Sequence, residues 1–176
     1  VYIINRIDRP TSGIVLFSKT KPSQAAINEQ LREGSIEKWY LAVVDKTITP
    51  AHQKLTHTLW KDSRKKQSQV IEEGHPGGKK ASLSYEVVET TDRYALLLIK
   101  METGRFHQIR AQLAHIGYPI KGDVKYGFRR ANKDRTIHLH AWKMAFTHPV
   151  SAERVTLTAP VPEDPLWQAF QYPQSH

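Results

Sequence analysis

The stretch "NRIDRPTSGIVLFSKT", Asn5 to Thr20, places one carboxylate, Asp8, between Arg6 and Arg9, then a Pro-Thr-Ser-Gly turn and an apolar run. An apolar run bounded by turn and polar residues reads as a buried strand, here Gly13 to Thr20. Asp8 therefore stands just ahead of a strand, either as one partner in a salt-bridged turn or as an acid held for chemistry. Taken alone the stretch favours the turn, because surface ion pairs are common and weak.

Working outward, "KPSQAAINEQLREG" predicts a helix in which Pro22 suits the first turn, Ala26, Ile27 and Leu31 form an apolar stripe and Gly34 ends it. "KWYLAVVD" (Lys38 to Asp45) is rich in strand formers. From Lys46 to Lys80 the chain turns polar, with "KDSRKKQSQ" (Lys61 to Gln69) and "GHPGGKK" (Gly74 to Lys80) expected as surface loops or hairpin ends. "ASLSYEVVE" (Ala81 to Glu89) alternates like a half-exposed strand, and "YALLLIKM" (Tyr94 to Met101) is its expected antiparallel partner across Thr91-Asp92-Arg93. In "FHQIRAQLAHIG", Ile109, Leu113 and Ile116 share a helical face that Gly117 closes. Two late strands, "HLHAWKMAFT" (His138 to Thr147) and "RVTLTAP" (Arg154 to Pro160), complete an α+β domain dominated by antiparallel or mixed sheet.

The 176 residues suit one domain, 1–176, with a core of its own. No apolar stretch approaches the roughly 18 residues of a membrane helix, so the expectation is a soluble chain, without a membrane partner, in the cytoplasm, with a monomer as default. The absence of cysteine excludes disulfides, thiolate metal sites and cysteine nucleophiles. Lys plus Arg number 26 against 17 acids, a formal charge of +9, which favours a polyanionic partner such as RNA.

Several sites for chemistry compete. His138 and His140 could ligate a metal with His148 or Asp123, but no full ligand set is in view, so no metal is expected. "GHPGGKK" lacks the phosphate-loop spacing, although Lys79 and Lys80, beside glycines that admit close backbone approach, could touch RNA phosphates. Ser12 has no nucleophile elbow around it. A second carboxylate is hard to find, since Asp8 is the only acid in its sequence neighbourhood and "GDVKYG" (Gly122 to Gly127) reads as a turn. Arg105, His107 and Arg110 cluster where a strand end passes through Thr103-Gly104 into the second helix. Such a junction can bind phosphate or pair a carboxylate, the alternative being an ordinary solvated helix start.

Read together, these segments resemble the RluA-type pseudouridine synthase family, enzymes that isomerise uridines in ribosomal and transfer RNA. The family's H-R-L-D-x-x-T-S-G stretch appears as "NRIDRPTSG", its Lys-x-Tyr strand opening as "KWYLAVV", and its T-G-R-[TS]-H-Q-I-R as "TGRFHQIR". "HTLWKD", "KKASLSYEVVE" and "HLHAWKMAFTHP" extend the likeness from residue 1 to about residue 150.

The resemblance implies a bent, largely antiparallel mixed sheet flanked by helices and loops, an active site in a basic cleft, and an isomerase that uses no cofactor. It assigns Asp8 as the essential aspartate, Tyr40 as the residue that packs on the target uracil and Arg110 as the partner of the aspartate. Arg6 would help displace the base from its stack; Arg105 and His107 are expected to contact RNA from their place at the strand-to-helix junction. The other reading is a non-catalytic RNA-binding module on the same scaffold. Asn5 stands where the family usually has His, and Phe106 where Thr or Ser is usual. Because the family places a Lys-Pro-x-Gly segment, a strand and a helix before the aspartate motif, the chain is expected to be trimmed at its N-terminus, without the S4-like domain of some members.

Overall fold

The structure is a computed structural model that describes residues 1–174. It begins with three two-residue strands, β1 (Tyr2–Ile3), β2 (Ser12–Gly13) and β3 (Phe17–Ser18), followed by helix α1 (Lys21–Glu33). Next come β4 (Glu37–Asp45), β5 (His52–Asp62), β6 (Gln67–Ile71), β7 (Lys79–Thr90) and β8 (Tyr94–Met101), then helix α2 (Gln108–His115). A 3-10 turn (Val124–Tyr126) leads to β9 (Leu139–Thr147), β10 (Arg154–Thr158) and a short helix α3 (Pro165–Gln168). The main sheet runs β10-β9-β4-β8-β7-β5-β6, all antiparallel, and β2 joins β9 in parallel. The α+β, largely antiparallel architecture is the one expected.

Strand β4 explains the centre of the sheet. Its run Leu41, Ala42, Val43, Val44 is fully buried, because both faces are covered and neither can be polar. Ala42 and Val44 face α2 together with Leu83, Leu97, Ile99, Ile109 and Leu113. Leu41 and Val43 face the opposite way, onto Leu96, Trp142 and the Trp167 and Phe170 of the C-terminal segment. Each such leucine contributes roughly 1.5–3 kcal/mol of transfer free energy. Helix α1 is capped by Thr20, whose hydroxyl accepts from Ser23 N, and by Gly34 at φ 73°, and it buries Ile27 against Met144 and Phe146 of β9.

Two expectations need correction. Gly13 to Thr20 is no continuous buried strand: β2 pairs with His140 and Ala141, β3 pairs with β1, and Val15 and Phe17 are exposed. The N-terminal segment takes the hydrogen bonds between them. Asn5 Nδ2 donates to the Ile14 carbonyl at 3.2 Å, Asn5 Oδ1 accepts from Leu16 N at 2.7 Å, and Ile4 N donates to the Leu16 carbonyl at 2.9 Å. Gly13, at φ 120°, is required where β2 crosses β9, since any Cβ there would fall on the Ala141 backbone.

The polar stretch after Lys46 holds a long strand, β5, and its hairpin partner β6, rather than loops alone. In β5 the buried leucines are Leu55 and Leu59, four apart among Thr, His and Lys, so no period-two pattern marks it. The short helix α3 begins at Asp164-Pro165, with Asp164 Oδ1 accepting from Leu166 N at 3.0 Å. No helix among the described residues is long and apolar enough to cross a membrane. The register brings the beginning of β4 and the end of β8 to one end of the sheet, and β2, which follows the Asp8 turn, pairs with β9 at Ala141, opposite Tyr40 of β4.

Candidate active site

At that end, β8 passes into α2 through Thr103 to His107, a turn built around the buried Gln108. Gln108 Oε1 accepts from Thr103 Oγ1 at 2.8 Å and Arg105 N at 2.9 Å, and Gln108 Nε2 donates to the Ser82 carbonyl at 3.1 Å. Thr103 and Gln108 are thereby locked at five residues' separation. His107 follows in the left-handed region at φ 53°, a conformation that a bonded surrounding must maintain. Its ring stacks on Phe106 at 3.9 Å between centroids, and its Nδ1 lies 2.7 Å from the Tyr126 hydroxyl. That hydroxyl also accepts from Ser68 N at 2.9 Å, tying the β5–β6 hairpin to the site.

Arg110 sits in the first turn of α2, its side chain 5% exposed. Its Nε and Nη2 each donate to one oxygen of Asp123 at 2.8 Å, a bidentate pair, with the Tyr126 ring 5.0 Å from the guanidinium carbon. The remaining nitrogen, Nη1, lies 3.5 Å from Asp8 Oδ2 and 3.3 Å from His107 Nε2. His107 Nε2 stands 3.8 Å from Asp8 Oδ1. The structure thus brings Asp8 and Arg110 together, but Arg110 is gripped first by Asp123. This corrects the view of Asp8 as the sole acid nearby and of "GDVKYG" as a simple turn.

Burial raises the Asp8 carboxyl above its ordinary range against the lowering pull of Arg110, and the charge of Asp123 adds to the rise. Burial opposes the charge on Arg110, yet the Asp123 pair and then Asp8 outweigh it and raise its pKa. Burial, with Arg110, Lys125 and Lys61 behind it, pushes His107 down to about 4, so its ring is neutral at pH 7. Tyr40 is pushed up to about 12 by burial and secondarily by the charge of Asp8, and Tyr126 up to about 12 chiefly by burial. One buried cation therefore serves two carboxylates, fully for Asp123 and partly for Asp8.

Asp8 lies on a cleft of about 780 Å³ that Arg6, Tyr40, Arg105 and His107 also line. Arg110 lies behind the carboxylate rather than on the wall. Arg6 and Arg105 are exposed, and Arg105 Nε donates to the Lys80 carbonyl at 2.9 Å. Lys79 and Lys80 begin β7 and are exposed; neither lines the cleft, although the Lys80 backbone meets Arg105, which does. Tyr126 and Lys38 were not singled out from the sequence, and Asp123 was considered there only as a metal ligand. Lys38 precedes Tyr40 by two on a strand and so shares its face, a signal already present in Lys-x-Tyr.

His138 and His140 are occupied elsewhere. His138 Nε2 lies 2.6 Å from Asp164 Oδ2 and its Nδ1 3.0 Å from Asn132 Nδ2. His140 Nδ1 lies 2.7 Å from Ser12 Oγ and its Nε2 3.0 Å from the Ala159 carbonyl. All four ring nitrogens are engaged within the protein. Among the described residues no group of three or more His, Cys, Asp or Glu is arranged to hold a metal ion.

Residues 1–115 match a family model described as RNA pseudouridylate synthase. The chain is 33% identical over 162 residues to an uncharacterized RNA pseudouridine synthase of Bacillus subtilis (strain 168), covering 92% of this chain and 52% of that one. It is 33% identical over 183 residues to tRNA pseudouridine synthase C of Haemophilus ducreyi, covering 96% of this chain and 74% of that one. The chain spans about half the length of most of the curated relatives it matches. Among solved structures, human RNA pseudouridylate synthase domain containing 1 superposes with a TM-score of 0.79 at 26% identity, over 99% of this chain and 76% of that one. With a family model spanning most of its length and a relative matched over three quarters of that relative's own, this chain belongs to the RNA pseudouridylate synthase family.

Proposed function

We propose that this chain isomerises selected uridines of ribosomal or transfer RNA to pseudouridine, with Asp8 as the essential carboxylate. The observation that carries the proposal is the unfinished ion pair: Asp8, 23% exposed on the cleft, meets a guanidinium at 3.5 Å that Asp123 already holds at 2.8 Å. A carboxylate present only for stability would close that gap. One kept short of full pairing retains a reactive oxygen, with Arg110 opposing part of the rise in pKa that burial imposes.

The reaction breaks the N1–C1′ bond, turns the uracil while it stays bound and joins C5 to C1′. N1 gains a proton and C5 loses one, so the change is redox-neutral and its stoichiometry calls for no cofactor. Asp8 would act as nucleophile or as base at the ribose. Tyr40, its phenol pushed up to about 12 by burial and so protonated well beyond neutral pH, offers a flat apolar face for the detached uracil. A stacked uridine does not present these atoms, so the target must be flipped into the cleft, at a few kcal/mol that exposed Arg6 and Arg105 help to offset. Work in the cytoplasm, as a monomer, fits this reading.

Tritium release from RNA labelled at uridine C5 tests the proposal. The parent chain is expected to release tritium and Asp8→Asn to lose roughly 10²- to 10⁴-fold in rate. Equal activity of the two proteins removes Asp8 from the chemistry.

A further inference from the structure

We propose that Lys38 is the phosphate-binding residue inside the cleft, its ammonium taking the backbone phosphate of the nucleotide presented to Asp8. The inference rests on the RNA reading above and extends it to one residue and one ligand group.

Lys38 lines the same cleft as Asp8 and Tyr40, on the strand face that carries Tyr40. It is half-buried, whereas the cleft's other cations near Asp8, Arg6, Arg9, Arg105 and Lys61, are all exposed. The exposed cations can meet RNA anywhere along its backbone. Lys38, partly out of water, lies on the cleft wall beside Tyr40.

No ion pair and no side-chain hydrogen bond joins Lys38 to any described residue. Its neighbour Glu37 pairs instead with Lys100 at 3.6 Å and Arg154 at 3.4 Å. Asp8 and Asp123 are both directed to Arg110. A lysine drawn partly out of water without a counter-charge is an expensive placement, and its pKa is lowered by that burial. A neutral uracil carbonyl would not compensate the charge; a phosphate, with several acceptor oxygens for a compact three-donor cation, would.

Gly104 keeps the place open. A Cβ on Gly104 would stand 3.0 Å from Lys38 Nζ, so the glycine of Thr-Gly-Arg leaves room for the ammonium. Because Nζ is the far end of a flexible side chain, Gly104→Ala should fold and push the ammonium aside.

The experiment uses an RNA that the parent chain modifies, in two forms: natural, and with one neutral methylphosphonate linkage at the target uridine. Binding is read by fluorescence anisotropy across a salt series. Lys38→Gln is expected to weaken binding of the natural RNA about fivefold to tenfold and to reduce the log–log salt slope by about 0.7. The neutral linkage should weaken the parent by a similar factor and Lys38→Gln no further. Gly104→Ala should give a smaller loss that vanishes in the Lys38→Gln background, and it carries the test if Lys38→Gln does not fold. Unchanged slope, or losses from protein and RNA that simply multiply, overturns the inference while the proposed function stands. A parent chain that neither binds nor modifies RNA overturns both.

Discussion

His138 and His107 each stand close to an aspartate, but His138 Nε2 is 2.6 Å from Asp164 and His107 Nε2 is 3.8 Å from Asp8. The first distance belongs to a closed network. His138 and His140 use every ring nitrogen, and Trp167 packs near both rings at 5.2 and 6.0 Å. The second belongs to a network left open where it meets the cleft, with the Asp8 oxygens at 3.5 and 3.8 Å from their partners. Both regions set a largely buried histidine side chain beside a partly exposed carboxylate. What separates structure from chemistry is satisfaction, since a finished network stabilises and an unfinished one, held rigid from behind, is available to a substrate.

The largest test of this contrast is Asp8→Asn. Tritium release should fall roughly 10²- to 10⁴-fold, yet the melting temperature should stay equal or rise. The sign follows from the raised pKa of Asp8 in the folded state. Such a carboxyl contributes stability below its unfolded pKa and loses that contribution as pH rises through the folded value, so near pH 7 its ionised form is a burden. A clear drop in melting temperature would place Asp8 in a closed network after all.

Arg110→Met should destabilise by about 3–5 kcal/mol in urea unfolding, because it strands the buried Asp123 without its bidentate partner. A loss near zero would mean that the Arg110–Asp123 pair does not hold the fold together. His140→Phe in the closed region should cost about 1–3 kcal/mol by leaving Ser12 Oγ and the Ala159 carbonyl unpaired, while tritium release per folded molecule is retained. A catalytic loss at full stability would reverse the roles of the two regions.

Two smaller effects are read against pH. Asp123→Asn removes a charge that raises the Asp8 pKa and frees Arg110 for Asp8, so the acid limb of the rate profile should move to lower pH. Movement the other way would show that Asp123 does not face Asp8 electrically. His107, depressed to about 4, is neutral in the fold where the unfolded chain is protonated, so stability should rise with pH between about 4 and 6.5. His107→Gln should flatten that part of the curve; an unchanged slope would mean that His107 titrates normally.

How much of this could be read in advance differs by element. Helix α1 was legible because Thr20, Pro22 and Gly34 are local signals, and the β7–β8 hairpin because alternation and turn stand side by side in the chain. Strand β5 was not, because its pairing with β6 and β7, rather than its own pattern, makes it a strand. The apolar run after Gly13 misled for the opposite reason: its pattern is strand-like, but Asn5 and Ile4 claim its backbone groups.

By itself the sequence determined the sheet-rich α+β class, the two helices with their ends, and the three motifs that carry Asp8, Tyr40 and Arg110. Capping, alternation and turn chemistry act over a few residues, so they are written in consecutive letters. The tertiary structure alone decided that Arg110 turns two of its nitrogens to Asp123, thirteen residues along the chain, and spares one for Asp8. It also decided that Lys38 meets no counter-charge among the described residues while the ring nitrogens of His138 and His140 are all engaged. Charge and hydrogen bonding act through distance in space, and which partner comes within 3 Å is fixed only when the strands have assembled.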